Sequence, residues 1–406
     1  MNNGLNVNTL KSFLKLHKIN KDDNSGKKST HTRIGGKDKK GNTIYGGNYH
    51  IPDENIIKFY DLYYNDVFNK KHKEYLTETQ DKKNGGPLLV DIDMRFNSDI
   101  KVRKFDKEDL TTIIELYCET LKQLMIIKKE IEIPIYVFQK KNLVIQKDKE
   151  TKDGIHMIFG INIKHDLQML IRKNVIKKEK EEYKIFGEDG LNCVNKIEDI
   201  FDECISSGRN NWQLYGSRKP GCEAYKLKYK IDATFMPNSP YSIIYNDITN
   251  IEIRKLLPII SAKNKIFIRL TDVKEKYNAE LEKIKQITKK NKVKKIVNKK
   301  VIHANNIIGK YPKNQTELDK IIKDVFTNLS LKDYHLRELH EFVMILDENY
   351  YNPFKNWLEV GWALHNTSDL LFWSWVKFSS KSEKFSYDCI SDFHNKWLNE
   401  MNDEGF

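Results

Sequence analysis

The sequence predicts an α+β protein, a mixed-sheet domain followed by a smaller, mostly α-helical one. Three observations carry that expectation. Up to about residue 275, strand-like and helix-like stretches mix without the strict strand–helix–strand alternation of a doubly wound sheet. The run "IKQITKKNKVKKIVNKK", Ile284 to Lys300, then passes without a single acid, as in an exposed linker or the face of a basic helix. Beyond residue 315 the pattern becomes helical and aromatic and holds five of the six tryptophans, Trp357, Trp362, Trp373, Trp375 and Trp397. A chain of 406 residues is long enough for two or three domains. The division expected is an N-terminal extension over 1–30, the mixed domain over 31–275, a lysine-rich linker over 276–315 and the helical domain over 316–406.

The elements follow in order. Residues 20–48 are polar and glycine-rich, which predicts loops with one hairpin. "DENIIKFYDLYYNDVF" sets Ile56, Phe59, Tyr60, Tyr63 and Tyr64 at helical spacing. "PLLVDIDMRF" is a buried strand. "KEDLTTIIELYCETLKQLMIIKKE" is a helix with Leu110, Ile113, Ile114, Tyr117, Leu121 and Leu124 on one face. "EIPIYVFQ" and "GIHMIFGINI" predict strands, "DLQMLIRKNVIKKEKEEYKIF" and "NKIEDIFDECI" helices, and "YSIIYND" a further strand. The tryptophans of the last domain suit a packed core, with base stacking as the alternative.

Lys and Arg number 70 against 57 Asp and Glu, a net charge of +13. That excess fits a polyanionic partner, nucleic acid above all; a composition rich in Lys, Asn and Ile accounts for it equally well. Five scattered cysteines form no CxxC pair, which argues against a zinc ribbon or redox motif and for a reducing compartment. The N-terminus lacks the apolar core of a signal peptide, and no run of 18 apolar residues exists. A soluble, intracellular protein without a membrane partner is expected.

Three motifs carry chemistry. In "LLVDIDMRF", Asp91 and Asp93 stand two apart, so on a strand both carboxylates project from one face while Val90, Ile92 and Met94 turn to the core. Two such carboxylates repel unless a cation lies between them, and oxygen ligands without nearby Cys or His favour Mg²⁺ or Mn²⁺. A DxD also occurs at plain strand ends. In "KDGIHMIFG", Lys152, Gly154 and His156 alternate onto one face and could line a phosphate and sugar wall; a structural histidine is the alternative. In "FDECISSGRNNWQLYGSRKPG", Asp202 follows an apolar run and "GSRKPG" is a basic turn suited to phosphates, or simply solvated.

Taken together and in this order, "VDID", "GIH" and "FD" resemble the archaeo-eukaryotic primase superfamily, and "THTRIGG", "GNYHIPDENIIKFYDLYY" and "NNWQLYGSRKP" resemble the primases of nucleocytoplasmic large DNA viruses, including the giant-virus and poxvirus primase–helicases. "FKNWLEVGWALHN" and "FWSWVKFSSKSEKF" are similar to the helical domain that follows in those proteins. The resemblance spans about residues 30–400. It implies an RRM-like mixed sheet with helices, and a DNA primase or primase-polymerase that uses nucleoside triphosphates on a single-stranded DNA template. Asp91, Asp93 and Asp202 would hold two divalent metals, Mg²⁺ or Mn²⁺. His156, helped by Lys152 and Gly154, would meet the nucleotide phosphate, and Ser217, Arg218 and Lys219 the triphosphate. Lys289, Lys290, Lys292, Lys294 and Lys295 are candidate contacts to nucleic-acid phosphates. Two positions depart from the pattern: Gly154 stands where many relatives have Ser, and Gln213 where many have Arg, with Arg209 or Arg218 as substitutes. Asp232 in "YKID" competes with Asp202 for the third acidic position. A hexameric helicase, fused downstream or separate, is the expected partner; no GxxxxGK[ST] occurs in this chain, so a fragment of a primase–helicase or a split gene is expected. A metal-dependent nuclease, which would not need the His156 wall or the basic turn, and a DNA-binding or helicase-loading module without catalysis are the alternatives.

Overall fold

The computed structural model describes residues 8–20, 26–145, 150–287, 311–327, 329 and 335–401. The chain divides into two compact units, Met1–Lys285 and Gln286–Phe406.

The first unit opens with α1 (Leu10–Leu16), capped by reciprocal bonds between Thr9 and Ser12. Leu10, Phe13 and Leu14 are buried in one core with Phe59, Tyr60 and Tyr63 of α2 (Ile56–Tyr64). Residues 10–16, predicted as part of an N-terminal extension, are therefore part of the domain, because an apolar face at i, i+3 and i+4 needs a partner. Residues 20–48 hold β1 (His31–Arg33), a hairpin of β2 (Gly36–Lys37) and β3 (Thr43–Ile44), and the start of β4 (Gly47–Tyr49). β1 lies between β4 and β5 (Leu76–Glu78), and β10 (Trp212–Gln213) pairs with the other edge of β5, making a four-stranded antiparallel sheet.

The larger sheet is built on a βαββα unit of β6 (Gly86–Phe96), α3 (Lys107–Leu124), β7 (Ile131–Gln139), β9 (Thr151–Ile163) and α4 (His165–Lys178). The long strand β9 sits between β6 and β7, the order of an RRM-like split βαβ arrangement. β11 (Lys226–Phe235) and β12 (Ser242–Asn246) extend the sheet past β7, again antiparallel. The short strands β8 (Val144–Ile145) and β13 (Ile268–Arg269) flank the two ends of β9.

Period-2 alternation divides the faces. Leu88, Val90, Ile92, Met94 and Phe96 of β6 are buried in the same core as Ile113, Ile114, Tyr117 and Leu121 of α3 and Leu170, Ile171 and Val175 of α4. Leu89, Tyr136, Phe138 and Ile158, on the other face, join Trp212 and Tyr225 in a second core. That second face carries Asp91 and Asp93.

Several predicted elements end elsewhere. The helix from Lys107 stops at Leu124, and the one from His165 gives way after Lys178 to a single wide turn, Glu179–Tyr183. "NKIEDIFDECI" is not one helix but two short ones, α5 (Ile197–Ile200) and α6 (Glu203–Ser206). Between them Phe201 is extended and bridges Ile92 of β6, so a tertiary pairing breaks the local helical pattern. β11 was not foreseen at all. α7 (Ile253–Ile259) packs onto the α1–α2 core and onto the second core of the larger sheet. Leu281 is buried in the α3–α4 core and Tyr277 and Ile284 pack against it, so residues 276–285, predicted as linker, belong to the first unit. The lysine run Lys289, Lys290, Lys292, Lys294 and Lys295 lies outside the described residues.

The second unit is helical among its described residues, with Gln315–Thr327, His335–Met344, Phe354–Thr367 and Phe372–Ser379 as its longer helices. Trp357 and Trp375 stack at 4.7 Å and 25°, Trp357 Nε1 donates to Ser379 Oγ at 2.7 Å, and Trp397 is fully buried. A Cβ at Gly361 would come within 2.6 Å of Trp375, so glycine lets that indole reach the helix backbone. These tryptophans are core. Tyr311 packs against the same cluster, ahead of the predicted start at 316. No helix among the described residues is long and apolar enough to cross a membrane.

Candidate active site

The register between β6 and β9 builds the site. Asp91 pairs with His156, Asp93 with Gly154 and Arg95 with Lys152. Residues directly opposite in an antiparallel pair share a face. Both carboxylates, the imidazole, the glycine and Lys152 therefore stand on one wall. His156 Nε2 lies 3.3 Å from Asp91 Oδ1. That contact falls outside hydrogen-bond geometry, and Oδ1 is a buried oxygen without a hydrogen bond.

Aromatic rings fix the imidazole. Tyr225, just ahead of β11, stacks on His156 at 3.6 Å and 20°, and the Trp212 ring is 4.6 Å away. Lys140 Nζ lies over the Tyr225 ring at 4.6 Å. A Cβ at Gly154 would approach Tyr225 Oη to 2.8 Å and the Ile92 carbonyl oxygen to 3.1 Å. Glycine is required there because the Tyr225 hydroxyl fills the space a side chain would occupy.

Asp202 reaches the site through the backbone. The segment after α4 runs along the outer edge of β6: Val194 N–H donates to Arg95 O at 2.9 Å, Asn195 Nδ2 to Asp93 O at 2.9 Å, and Asp202 N–H to Asp91 O at 3.0 Å. The Asp202 carboxylate caps α6, accepting from Cys204 N–H at 2.6 Å and Ile205 N–H at 3.3 Å. The buried Arg172 of α4 donates to Phe201 O at 2.8 Å and Glu198 O at 2.7 Å, which holds the break between α5 and α6 open. Asp232 is elsewhere: it lies on β11, separated from β6 by two strands, β7 and β9, and is bonded to Lys230 at 3.1 Å and Asn246 at 2.6 Å.

The residues of the basic turn have different surroundings. Ser217 is fully buried; its hydroxyl meets Tyr63 Oη at 2.8 Å and accepts from Leu76 N–H at 3.0 Å, so it anchors the turn to β5. Arg218 N–H donates to Glu74 O at 2.9 Å, and its Nε is buried without a hydrogen-bond partner. Lys219 is exposed, close enough to act on both Asp91 and Asp93. Gln213 Nε2 donates to Ser217 O, and Arg209 pairs with Glu203 at 2.8 Å; neither is turned to the paired carboxylates by these bonds. Lys140 was missed by sequence reasoning. It acts on Asp91, yet nothing marks it in "VFQKKN" until the strand order brings β7 beside β9.

The two carboxylates are pushed apart electrostatically. Burial works against ionisation of Asp91, but the neighbouring His156, Lys219 and Lys140 outweigh it and hold its carboxyl low. Asp93 reaches solvent at its outer edge, but desolvation of its inner side, then the Asp91 charge and more weakly Asp202, push it up to about 6. A hard divalent cation beside Asp91 and Asp93 fits this donor set, because it would use the unbonded Oδ1 and cancel the repulsion. Among the described residues no three His, Cys, Asp or Glu side chains stand gathered as a finished metal cage; Asp202 is turned to its cap.

The sign of the Asp93 shift gives a test. The folded chain holds this proton more tightly than the unfolded chain, whose carboxyl titrates near 3.9. Stabilisation from protonated Asp93 is complete below about pH 4 and is lost as pH rises through about 6. Asp93→Asn should therefore be more stable than the wild type at pH 7.5 in chelator, with the gap closing at pH 4. Urea midpoints at the two pH values check this; a gap that does not depend on pH removes the carboxylate repulsion from the account.

Residues 40–231 match the profile of the C962R protein N-terminal AEP domain, and residues 339–405 match Primase C terminal 2 (PriCT-2). The chain carries an archaeo-eukaryotic primase (AEP) domain followed by a primase C-terminal domain. The AEP match contains every site residue described above, and the PriCT-2 match lies within the helical unit. No curated protein matches the chain. An AEP domain followed by a primase C-terminal domain implies a primase-type function in replication, with binding of single-stranded DNA and nucleotides, and AEP primases normally use divalent metals.

Proposed function

We propose that this chain is a DNA-dependent primase-polymerase that synthesises primers on single-stranded DNA by two-metal nucleotidyl transfer, in the replication of a large DNA virus. The observation that carries the proposal is the β6–β9 register, which puts Asp91 against His156 and Asp93 against Gly154, with Asp202 bonded through its backbone to Asp91. Asp91, Asp93 and Asp202 are the residues that would hold two Mg²⁺ or Mn²⁺ ions; when bound, such ions neutralise charge on the attacking 3′-oxygen and the leaving pyrophosphate. His156, fixed by Tyr225, presents its ring edge to the nucleotide's phosphates. Lys219, Lys140 and Lys152 supply cations along the same wall, and Arg218 adds a donor at the turn. The lysine run 289–295 would meet template phosphates, and a replicative hexameric helicase, inside the infected cell, is the partner proposed.

A nuclease would use the acids but has no need for a nucleotide wall. The discriminating experiment is primer synthesis on a single-stranded template with labelled nucleotides and Mg²⁺ or Mn²⁺. Products longer than the input strand are expected; degradation of the template without extension would overturn the polymerase reading in favour of a nuclease. In the same assay His156→Ala and Lys219→Ala should each raise the apparent nucleotide KM roughly tenfold to hundredfold, since each removes a phosphate contact of about 1.5–3 kcal/mol, while template affinity stays unchanged. An unaltered KM in both variants would make these residues structural.

A further inference from the structure

The β2–β3 hairpin lies beside the basic turn and has no role in the site described. Its tip is built by Asp38, whose carboxylate accepts from Lys40 N–H at 2.8 Å, Asn42 N–H at 2.9 Å and Asn42 Nδ2 at 3.0 Å. That acid is spent on the turn, and Lys37, Lys39 and Lys40 are exposed and enter no ion pair among the described residues. Tyr45 is 80% exposed, an open aromatic on a cationic loop. The hairpin is seated, not adrift. A Cβ at Gly36 would come within 3.0 Å of the Pro220 ring, so the strand backbone rests on the "GSRKPG" turn, and a Cβ at Gly221 would touch the stem of Lys39 at 4.0 Å.

Positive charge continues from the hairpin to the carboxylates. Asn142 ties the loop after β7 to Glu223, through N–H at 3.1 Å and Nδ2 at 2.7 Å, and Lys39 and Lys141 both act on that glutamate. Lys140, next in the chain, and Lys219, next to Pro220, act on Asp91. A line of lysines therefore leads outward from the paired acids, past Tyr225, to the hairpin tip. Lysines that track away from a catalytic centre, interleaved with an exposed ring, suit a single strand, whose phosphates repeat and whose bases each offer a face for stacking. An isolated nucleotide would need only the inner end of the line.

We propose that the β2–β3 hairpin is a template-strand contact, in which Lys37, Lys39 and Lys40 meet phosphates of single-stranded DNA and Tyr45 stacks on a base. The assignment rests on the polymerase reading above and adds where the strand runs.

Fluorescence anisotropy of a labelled oligothymidylate with the full chain, over a salt series, tests it. The triple variant Lys37→Gln, Lys39→Gln, Lys40→Gln should flatten the slope of log K against log salt by up to about 2 units, since each phosphate neutralised on a single strand contributes about 0.7. Tyr45→Ala carries no charge change. It should weaken binding roughly fivefold to hundredfold with the slope unaltered. Calorimetric binding of a nucleoside triphosphate with Mn²⁺ should be the same in both variants and the wild type, which also shows that the fold is intact. Wild-type slope and affinity in both variants overturn the hairpin assignment alone. Loss of nucleotide binding in step with the strand overturns it in favour of a nucleotide contact. A wild-type chain that binds no single strand overturns the polymerase reading and the hairpin with it.

Discussion

Asp91→Ala and Asp93→Ala should each lower template-directed nucleotide incorporation by about 10³-fold or more, with the far-UV spectrum and a cooperative unfolding transition retained. The two carboxylates project from the face of β6 opposite Val90, Ile92 and Met94, the side chains that pack against α3 and α4. Removing either acid therefore leaves the α3–α4 core untouched. It takes away part of the seat for a divalent cation, and charge stabilisation of that kind is worth several kcal/mol in a phosphoryl-transfer transition state. The unbonded Oδ1 of Asp91 makes that position the more sensitive of the two. Near-normal synthesis by either variant would remove the metal from the mechanism proposed here.

Asp202→Asn should be as inactive as those variants, and Asp232→Asn should keep most of its activity. The first substitution is informative because asparagine is as good a helix cap as aspartate. Its side-chain oxygen can still accept from Cys204 and Ile205, so α6 and the bridge from Phe201 to Ile92 should persist and only the charge is lost. Asp232 has its carboxylate committed to Lys230 and Asn246 across the sheet. Primer extension and thermal unfolding measured together decide the matter; an active Asp202→Asn beside an inactive Asp232→Asn would move the third acid to β11.

Much of the candidate site's wall could be read in the sequence because it depends on period two. The alternation in "VDID" and in "KDGIH" places Asp91 with Asp93, and Lys152 with Gly154 and His156, without any knowledge of the strand order. The apolar face of α3 was legible for the same reason at period 3.6: all six residues expected on it are buried. What sequence could not supply is everything fixed by distant pairing. Phe201 leaves a helical pattern because β6 offers it an edge, so Asp202 is a cap and not a mid-helix residue. Tyr225 reaches His156, and Lys140 the Tyr225 ring, only because β7 folds beside β9 and β11 beside β7. The bond between the Ser217 hydroxyl and Tyr63, 154 positions earlier, is likewise invisible in the sequence.

Gly154 and Tyr225 constrain how this site can be inherited. A side chain at 154 and a phenol at 225 compete for the same volume, 2.8 Å from Cβ to Oη. Neither position can drift freely while the other is kept. A change from Gly154 to Ser made first would drive the ring off His156, and the lineage would pass through a damaged enzyme. Tyr225→Phe made first frees the volume while the ring stays stacked, after which serine at 154 needs only a few tenths of an ångström from the Ile92 carbonyl. The order of two mutations, not their sum, thus separates an accessible path from a closed one, and primases that descend from a common ancestor of this chain should carry glycine with tyrosine or serine with a ring that lacks the hydroxyl, and rarely the crossed pair.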